Sequence, residues 1–105
     1  VKQFRRVAAA AVLLGSGCAP APQRHLVDIK GLAFAPVALE ATAGDTIGWV
    51  NLDMFPHTST ADGAAGWDTR PIPSGDTTFV VVRRAGTFNY ICEIHPTMHG
   101  TIIVR

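Results

Sequence analysis

The sequence predicts an all-β sandwich, and three observations carry that prediction. Apolar and polar residues alternate with period two in several short runs. Gly, Pro and Asp turns separate those runs at regular intervals. No window carries a convincing helical stripe, and 105 residues suit a single core with no room for a second.

The strands follow in order from His25. Leu26, Val27, Ile29, Leu32 and Phe34 begin the pattern, and Pro36 interrupts it. Val37–Thr42 alternates, with Val37, Leu39 and Ala41 on one face and Ala38, Glu40 and Thr42 on the other. Ala43-Gly44-Asp45 reads as a turn, after which Thr46–Asn51 carries Ile47 and Trp49 to one side. Ala61–Gly66 is ambiguous, and its two glycines argue for a loop. Thr77–Arg83 is a β-branched run containing Phe79, Thr87–Cys92 alternates through Phe88, Tyr90 and Cys92, and Thr101–Val104 closes the chain. Trp49 and Trp67 read as core or lid aromatics.

Composition narrows the class. Hydrophobic residues make up 48% and charged residues 16%, which excludes a disordered tail. Two cysteines are too few for a disulfide-knit mini-protein. The formal charge of +1 gives no sign of a nucleic-acid binder.

The first stretch differs from the rest. Lys2, Arg5 and Arg6 precede the apolar run Val7–Leu14, and Gly15, Ser16, Gly17 and Cys18 follow. A basic segment, a brief apolar run and small residues compose a secretory signal, so residues 1–17 are read as one. The run is too short for a membrane-spanning helix, which needs about 20 residues. Val1 reads as an alternative start codon written literally, making residue 1 a true beginning. Leu13–Cys18 resembles a bacterial lipoprotein box, which would lipidate Cys18 and hold the domain at a membrane surface. The alternative is an ordinary signal in which Cys18 is discarded or unmodified. Residues 18–24, with two prolines, then form a tether and residues 25–105 the domain. Residues 1–17 hold three basic and no acidic groups, so the remaining 88 carry six against eight, a formal −2. The N-terminal basic residues are therefore not a binding patch.

The chemistry gathers near the C-terminus. Cys92-Glu93-Ile94-His95-Pro96-Thr97-Met98 sets a thiolate, an imidazole and a thioether at intervals of three, just after a strand. A second imidazole, His57, follows Pro56. One Cys, two His and a weak Met form the donor set of a blue-copper electron-transfer site. Soft sulfur favours Cu(I) while imidazole serves both oxidation states, so little must move when an electron arrives. Taken singly, each residue has a plainer reading: Cys92 as a buried structural cysteine, Met98 as core filler, His57 or His95 as a satisfied histidine. Structural zinc wants four firm ligands and usually paired Cys, which this chain lacks. A Cys18–Cys92 disulfide is conceivable in an oxidising compartment unless Cys18 is lipidated or removed.

With these residues in view, the chain resembles the cupredoxins, and most the amicyanin and plastocyanin-like branch, from about Val27 to Val104. The resemblance rests on Phe34-Ala35-Pro36, Ala43-Gly44-Asp45-Thr46, Trp49-Val50-Asn51, Pro56-His57-Thr58, Gly86–Cys92 and His95-Pro96-Thr97-Met98-His99-Gly100. Two residues between Cys92 and His95, and two between His95 and Met98, match the short ligand loop of amicyanin. The resemblance implies a Greek-key sandwich of about seven or eight strands with one type 1 copper near one end. His57, Cys92 and His95 would be the equatorial ligands and Met98 the long axial one. Asn51 matches the asparagine that ties the strand bearing the first His to the cysteine loop. Glu93 departs from the family's Ser or Thr, which removes a hydroxyl contact and adds a carboxylate expected to lower the potential. Pro96 removes a backbone donor and stiffens the loop, an effect that runs opposite to that of Glu93.

Family resemblance also brings the imidazole of His95 to the surface, ringed here by Met54, Phe55, Pro56, Pro96 and Thr97. Such a patch suits brief docking of a redox protein partner; simple packing of Met54 and Phe55 against the loop is the alternative. His99 is either solvent-exposed or a pH-sensitive neighbour of the site, and His25 is read as incidental. The sequence thus points to an exported, periplasmic or membrane-anchored, monomeric electron carrier that is not an enzyme. Two rivals stand beside it: a copper-binding or copper-delivery protein, and a pure interaction module. Delivery proteins usually display Met- or His-rich tracts, which the sequence lacks.

Overall fold

The computed structural model describes residues 20–63 and 66–105. The signal-like segment 1–17 and Cys18 lie outside the described residues.

Eight strands run in chain order: β1 Arg24–Ile29, β2 Phe34–Ala35, β3 Ala38–Ala41, β4 Thr46–Asn51, β5 Thr60–Ala61, β6 Thr77–Val81, β7 Gly86–Ile91 and β8 His99–Val104. No helix occurs among the described residues. One sheet has the order β2-β1-β4-β6 and the other β3-β8-β7-β5. The pairs β1–β4 and β3–β8 are parallel and the others antiparallel. The two mixed sheets make the predicted all-β sandwich.

The period-two pattern explains which faces meet. In β1, Val27 and Ile29 are buried while Leu26 and Asp28 face solvent. In β4, Ile47, Trp49 and Asn51 are wholly buried, and from the opposite sheet Tyr90 and Ile102 close the core against them. Trp49 and Tyr90 meet edge to face, with centroids 5.5 Å apart, and Trp67 lies 5.6 Å from Trp49. Trp67 is partly buried and packs against the core. Gly100 faces the Tyr90 ring so closely that a β-carbon there would stand 2.5 Å from its Cζ, which accounts for glycine at this point of β8.

Several boundaries differ from the sequence reading: β3 is one residue shorter at each end than Val37–Thr42, and β7 runs Gly86–Ile91 rather than Thr87–Cys92. Thr60–Ala61 forms β5 against Ile91 and Tyr90, where the glycines downstream had argued for loop throughout. The last strand begins at His99, because β7 continues its ladder with Ile91 opposite His99. The Thr77 strand ends at Val81, two residues short of Arg83. The first strand begins at Arg24, which pairs with Thr46.

The register defines two poles. At one, β1 and β4 end together at Ile29 and Asn51, and β7 ends beside the start of β8. At the other lie Arg24 and Thr46, together with Gly86 and Val104, and the Ala43 amide donates to the Arg105 carbonyl. The metal-type side chains all fall at or just beyond the first pole.

Candidate metal centre

Two loops leave the first pole and bring three donors together. The β4–β5 loop carries His57, held by reciprocal backbone bonds with Ile72: the His57 amide donates at 3.2 Å and its carbonyl accepts at 2.7 Å. The β7–β8 loop carries Cys92, His95 and Met98. It closes on itself, the Cys92 amide donating to the Met98 carbonyl at 3.1 Å and the Met98 amide to the His95 carbonyl at 2.9 Å. Pro96 fits inside this turn because its missing N–H is not asked to donate.

Cys92 Sγ stands 3.6 Å from His57 Nδ1 and 4.0 Å from His95 Nδ1. The ligand atoms of His57, Cys92 and His95 all lie within 4.8 Å of one another. For metal–ligand bonds of about 2.0–2.3 Å, neighbouring ligands of a tetrahedral or trigonal site stand roughly 3.3–4 Å apart, so the two sulfur–nitrogen distances fit ligands of a single ion. The donor set excludes hard cations, since it offers one thiolate and two imidazoles and no oxygen ligand. Met98 is buried at 3% exposure beside this cluster in chain and in space. His57 and Cys92 are fully buried, whereas His95 is only partly so.

Hydrogen bonds hold the donors before any ion arrives. The Thr58 amide donates to Cys92 Sγ at 3.3 Å, and Thr58 Oγ1 accepts from the Glu93 amide at 2.8 Å. Thr58 therefore bridges the two ligand loops. A hydroxyl on the His57 loop, rather than one at position 93, thus ties the two loops together. Glu93 itself turns its side chain to solvent. Asn51 does not tie to the cysteine loop as expected. Its Nδ2 donates to the carbonyls of Phe55 at 2.7 Å and Ile72 at 2.9 Å, and its Oδ1 accepts from the Asp53 amide at 3.0 Å. It braces the His57 loop internally, since fully buried Asn51 sits beneath that loop, and Thr58 makes the connection to Cys92 and Glu93.

Asp53 joins the site without standing in any of the motifs above. Its carboxylate accepts His57 Nε2 at 2.9 Å and the amides of Gly31 and Leu32 at 2.7 and 2.9 Å. Burial pushes the Asp53 carboxyl upward, but the amides of Leu32 and Gly31 and the His57 imidazole outweigh it and hold the group below the usual carboxylate range. A carboxylate four residues before a metal-type histidine was the available signal. Met54, Phe55, Pro56, Pro96 and Thr97 are exposed, and the Phe55 ring centroid lies 6.3 Å from that of His95. His99 is solvent-exposed on β8. His25 is not incidental: its Nε2 bonds the Asp45 carboxylate at 2.9 Å, at the opposite pole.

A β-sandwich presenting one thiolate and two imidazoles at a single pole defines a protein that holds one copper in a type 1 site. Residues 5–104 match the Cupredoxin-like domain family, and the chain belongs to it. Amicyanin of Paracoccus denitrificans is 28% identical over 84 residues, which cover 76% of this chain and 64% of that protein. The chain thus spans a little under two thirds of that relative. Plastocyanin of Scenedesmus fuscus is 32% identical over 91 residues, covering 74% of this chain and 92% of its own length. Among solved structures, the oxidized state of a proline-to-alanine mutant of amicyanin superposes with a TM-score of 0.73 at 27% identity, covering 78% of this chain and 82% of its own.

Proposed function

We propose that this protein is a one-electron carrier acting outside the cytoplasm, in which His57, Cys92 and His95 would hold copper strongly and Met98 would hold it weakly. When bound, copper supplies the Cu(II)/Cu(I) couple. The observation that carries the reading is the convergence of the three donors within 4.8 Å at one pole. Amicyanin and plastocyanin among the relatives support the same function. The polypeptide fixes its donors through Thr58, Asn51 and the Cys92–Met98 loop bonds, so a change of oxidation state asks little rearrangement of it. Fully buried His57 and Cys92 keep water from the thiolate. His95, partly exposed amid Met54, Phe55, Pro56, Pro96 and Thr97, is the route by which electrons enter and leave. A small apolar contact of this kind releases a redox partner quickly, and the protein transforms no substrate.

Residues 1–17 act as an export signal and 18–22 as a tether, shorter than the 18–24 expected because Gln23 and Arg24 are already held against Asp45 and Thr46, with Cys18 the lipidated residue. Mass spectrometry of the mature N-terminus tests this; an unmodified end downstream of Cys18 refutes the anchor.

The function is tested by adding Cu(II) to the purified protein and recording optical spectra, EPR and voltammetry. One firmly held copper, an intense blue colour and a reversible one-electron wave are expected. Weak copper without the thiolate-to-copper band would instead indicate a delivery protein, and no copper at all an interaction module.

A further inference from the structure

We propose that Asp53 is a positioning residue for the metal site, locking the His57 ring so that Nδ1 faces Cys92 and His95 with its lone pair free. An ionised carboxylate only accepts hydrogen bonds, so the 2.9 Å contact with Asp53 Oδ2 places the His57 proton on Nε2. The remaining nitrogen, Nδ1, is the one 3.6 Å from Cys92 Sγ. The His57 side chain is wholly buried and that of Asp53 is 12% exposed, so water does not compete for this bond on the histidine side.

Asp53 is itself held in place from several directions. Gly31 and Leu32 both have positive φ, 62° and 57°, in the turn between β1 and β2. They are the central pair of a turn closed by reciprocal Lys30–Ala33 backbone bonds, and successive amides in such a turn make an anion-binding nest. Here the nest is filled by Asp53: Gly31 donates to Oδ1 at 2.7 Å and Leu32 to Oδ2 at 2.9 Å. Left-handed backbone is unfavourable for a leucine; the two-residue turn closed by Lys30 and Ala33 demands it at both central positions, and Asp53 then accepts the Leu32 amide that the turn leaves unpaired. The Asp53 backbone is pinned as well, its amide by Asn51 Oδ1 at 3.0 Å and its carbonyl by Ser74 Oγ at 2.6 Å. The β1–β2 turn thus reaches the buried histidine through one carboxylate, placing a fixed negative charge behind a donor that faces the copper position.

This inference rests on His57 being a copper ligand, and its first test needs no copper. Long-range ¹⁵N–¹H NMR of the metal-free full chain at neutral pH should find the His57 proton on Nε2 and a bare Nδ1. Asp53→Ala should move a measurable fraction to the Nδ1–H form. Upon loading, Asp53→Ala should bind Cu(II) about 10- to 100-fold more weakly. Loss of the negative charge should weaken Cu(I) binding less, so the ratio of Cu(II) to Cu(I) affinity should fall about tenfold, a rise in potential of about 59 mV. Asp53→Asn, of equal size, should show the same direction of change in that ratio. A wild-type His57 protonated on Nδ1 would overturn the proposal, even if neither variant folds. So would folded variants that keep both the wild-type tautomer and the wild-type affinity ratio. If instead the wild-type chain binds no copper while the Nε2 tautomer is found, the functional reading fails and the positioning by Asp53 stands.

Discussion

The two poles of the sandwich use the same device for different ends. At the metal pole, the Asp53 carboxylate accepts two backbone amides and His57 Nε2 at 2.9 Å. At the opposite pole, the Asp45 carboxylate accepts the amides of Gln23 at 2.8 Å and Thr42 at 2.9 Å and, again at 2.9 Å, His25 Nε2. Each carboxylate ties a histidine side chain to backbone amides of a neighbouring segment. The difference is what the second ring nitrogen meets. His57 Nδ1 faces a thiol and another imidazole, while His25 belongs to no comparable cluster among the described residues. An aspartate–histidine pair is therefore scaffolding by default. It becomes part of a metal site only where other soft donors converge on the same space.

The sharpest way to break the symmetry is at the thiol. Cys92→Ser should abolish the intense colour of the copper-loaded protein and most of its copper affinity, while circular dichroism stays that of the β-sandwich. Met98→Gln should retain copper and colour yet shift the potential measured by voltammetry, as expected of a weak axial ligand. Between the poles, Gly100→Ala forces a β-carbon against the Tyr90 ring. Denaturant unfolding should register a loss of about 1–3 kcal/mol, the usual range for overpacking.

Smaller effects belong to the far pole. Backbone bonds from Gln23 and Thr42, aided by His25, lower the Asp45 carboxyl from 3.8 to about 2, against a smaller opposing push from burial. A carboxyl depressed in the folded state stabilises the protein fully above its unfolded pKa of about 4, and that stability is lost as pH falls through about 2. Metal-free protein should accordingly lose stability between about pH 4 and pH 2, and Asp45→Asn should flatten that part of the profile while leaving the copper spectrum unchanged. His25→Ala should lower the melting temperature less than Asp45→Asn does, again without touching the spectrum.

Much of this architecture was readable before any coordinates. Period-two runs announced the strands because one face of each is buried, as Val27 and Ile29 or Ile47 and Trp49 show. The metal-type residues were legible because Cys92, His95 and Met98 are close in sequence and chemically unusual together. Two-residue β5 escaped notice because its pairing to Tyr90 and Ile91 is a long-range event with no local period. Thr58, Asp53 and His25 were undervalued for a related reason. His25 bonds Asp45, Thr58 bonds Cys92 and Asp53 is held by Leu32, all partners 20 or more positions away of which composition carries no trace; only the four-residue step from Asp53 to His57 is a local signal. Asn51 was singled out but given the wrong partner, because resemblance transfers a residue more safely than it transfers the other end of its hydrogen bond.

The central claim is that the two loops at one pole deliver a sulfur and two nitrogens to one copper ion. X-ray absorption at the copper edge of the loaded wild-type protein tests it most directly. The account predicts one short copper–sulfur shell together with two imidazole nitrogens, the sulfur shell vanishing in Cys92→Ser. A first shell of nitrogen and oxygen alone in the wild-type protein would contradict it.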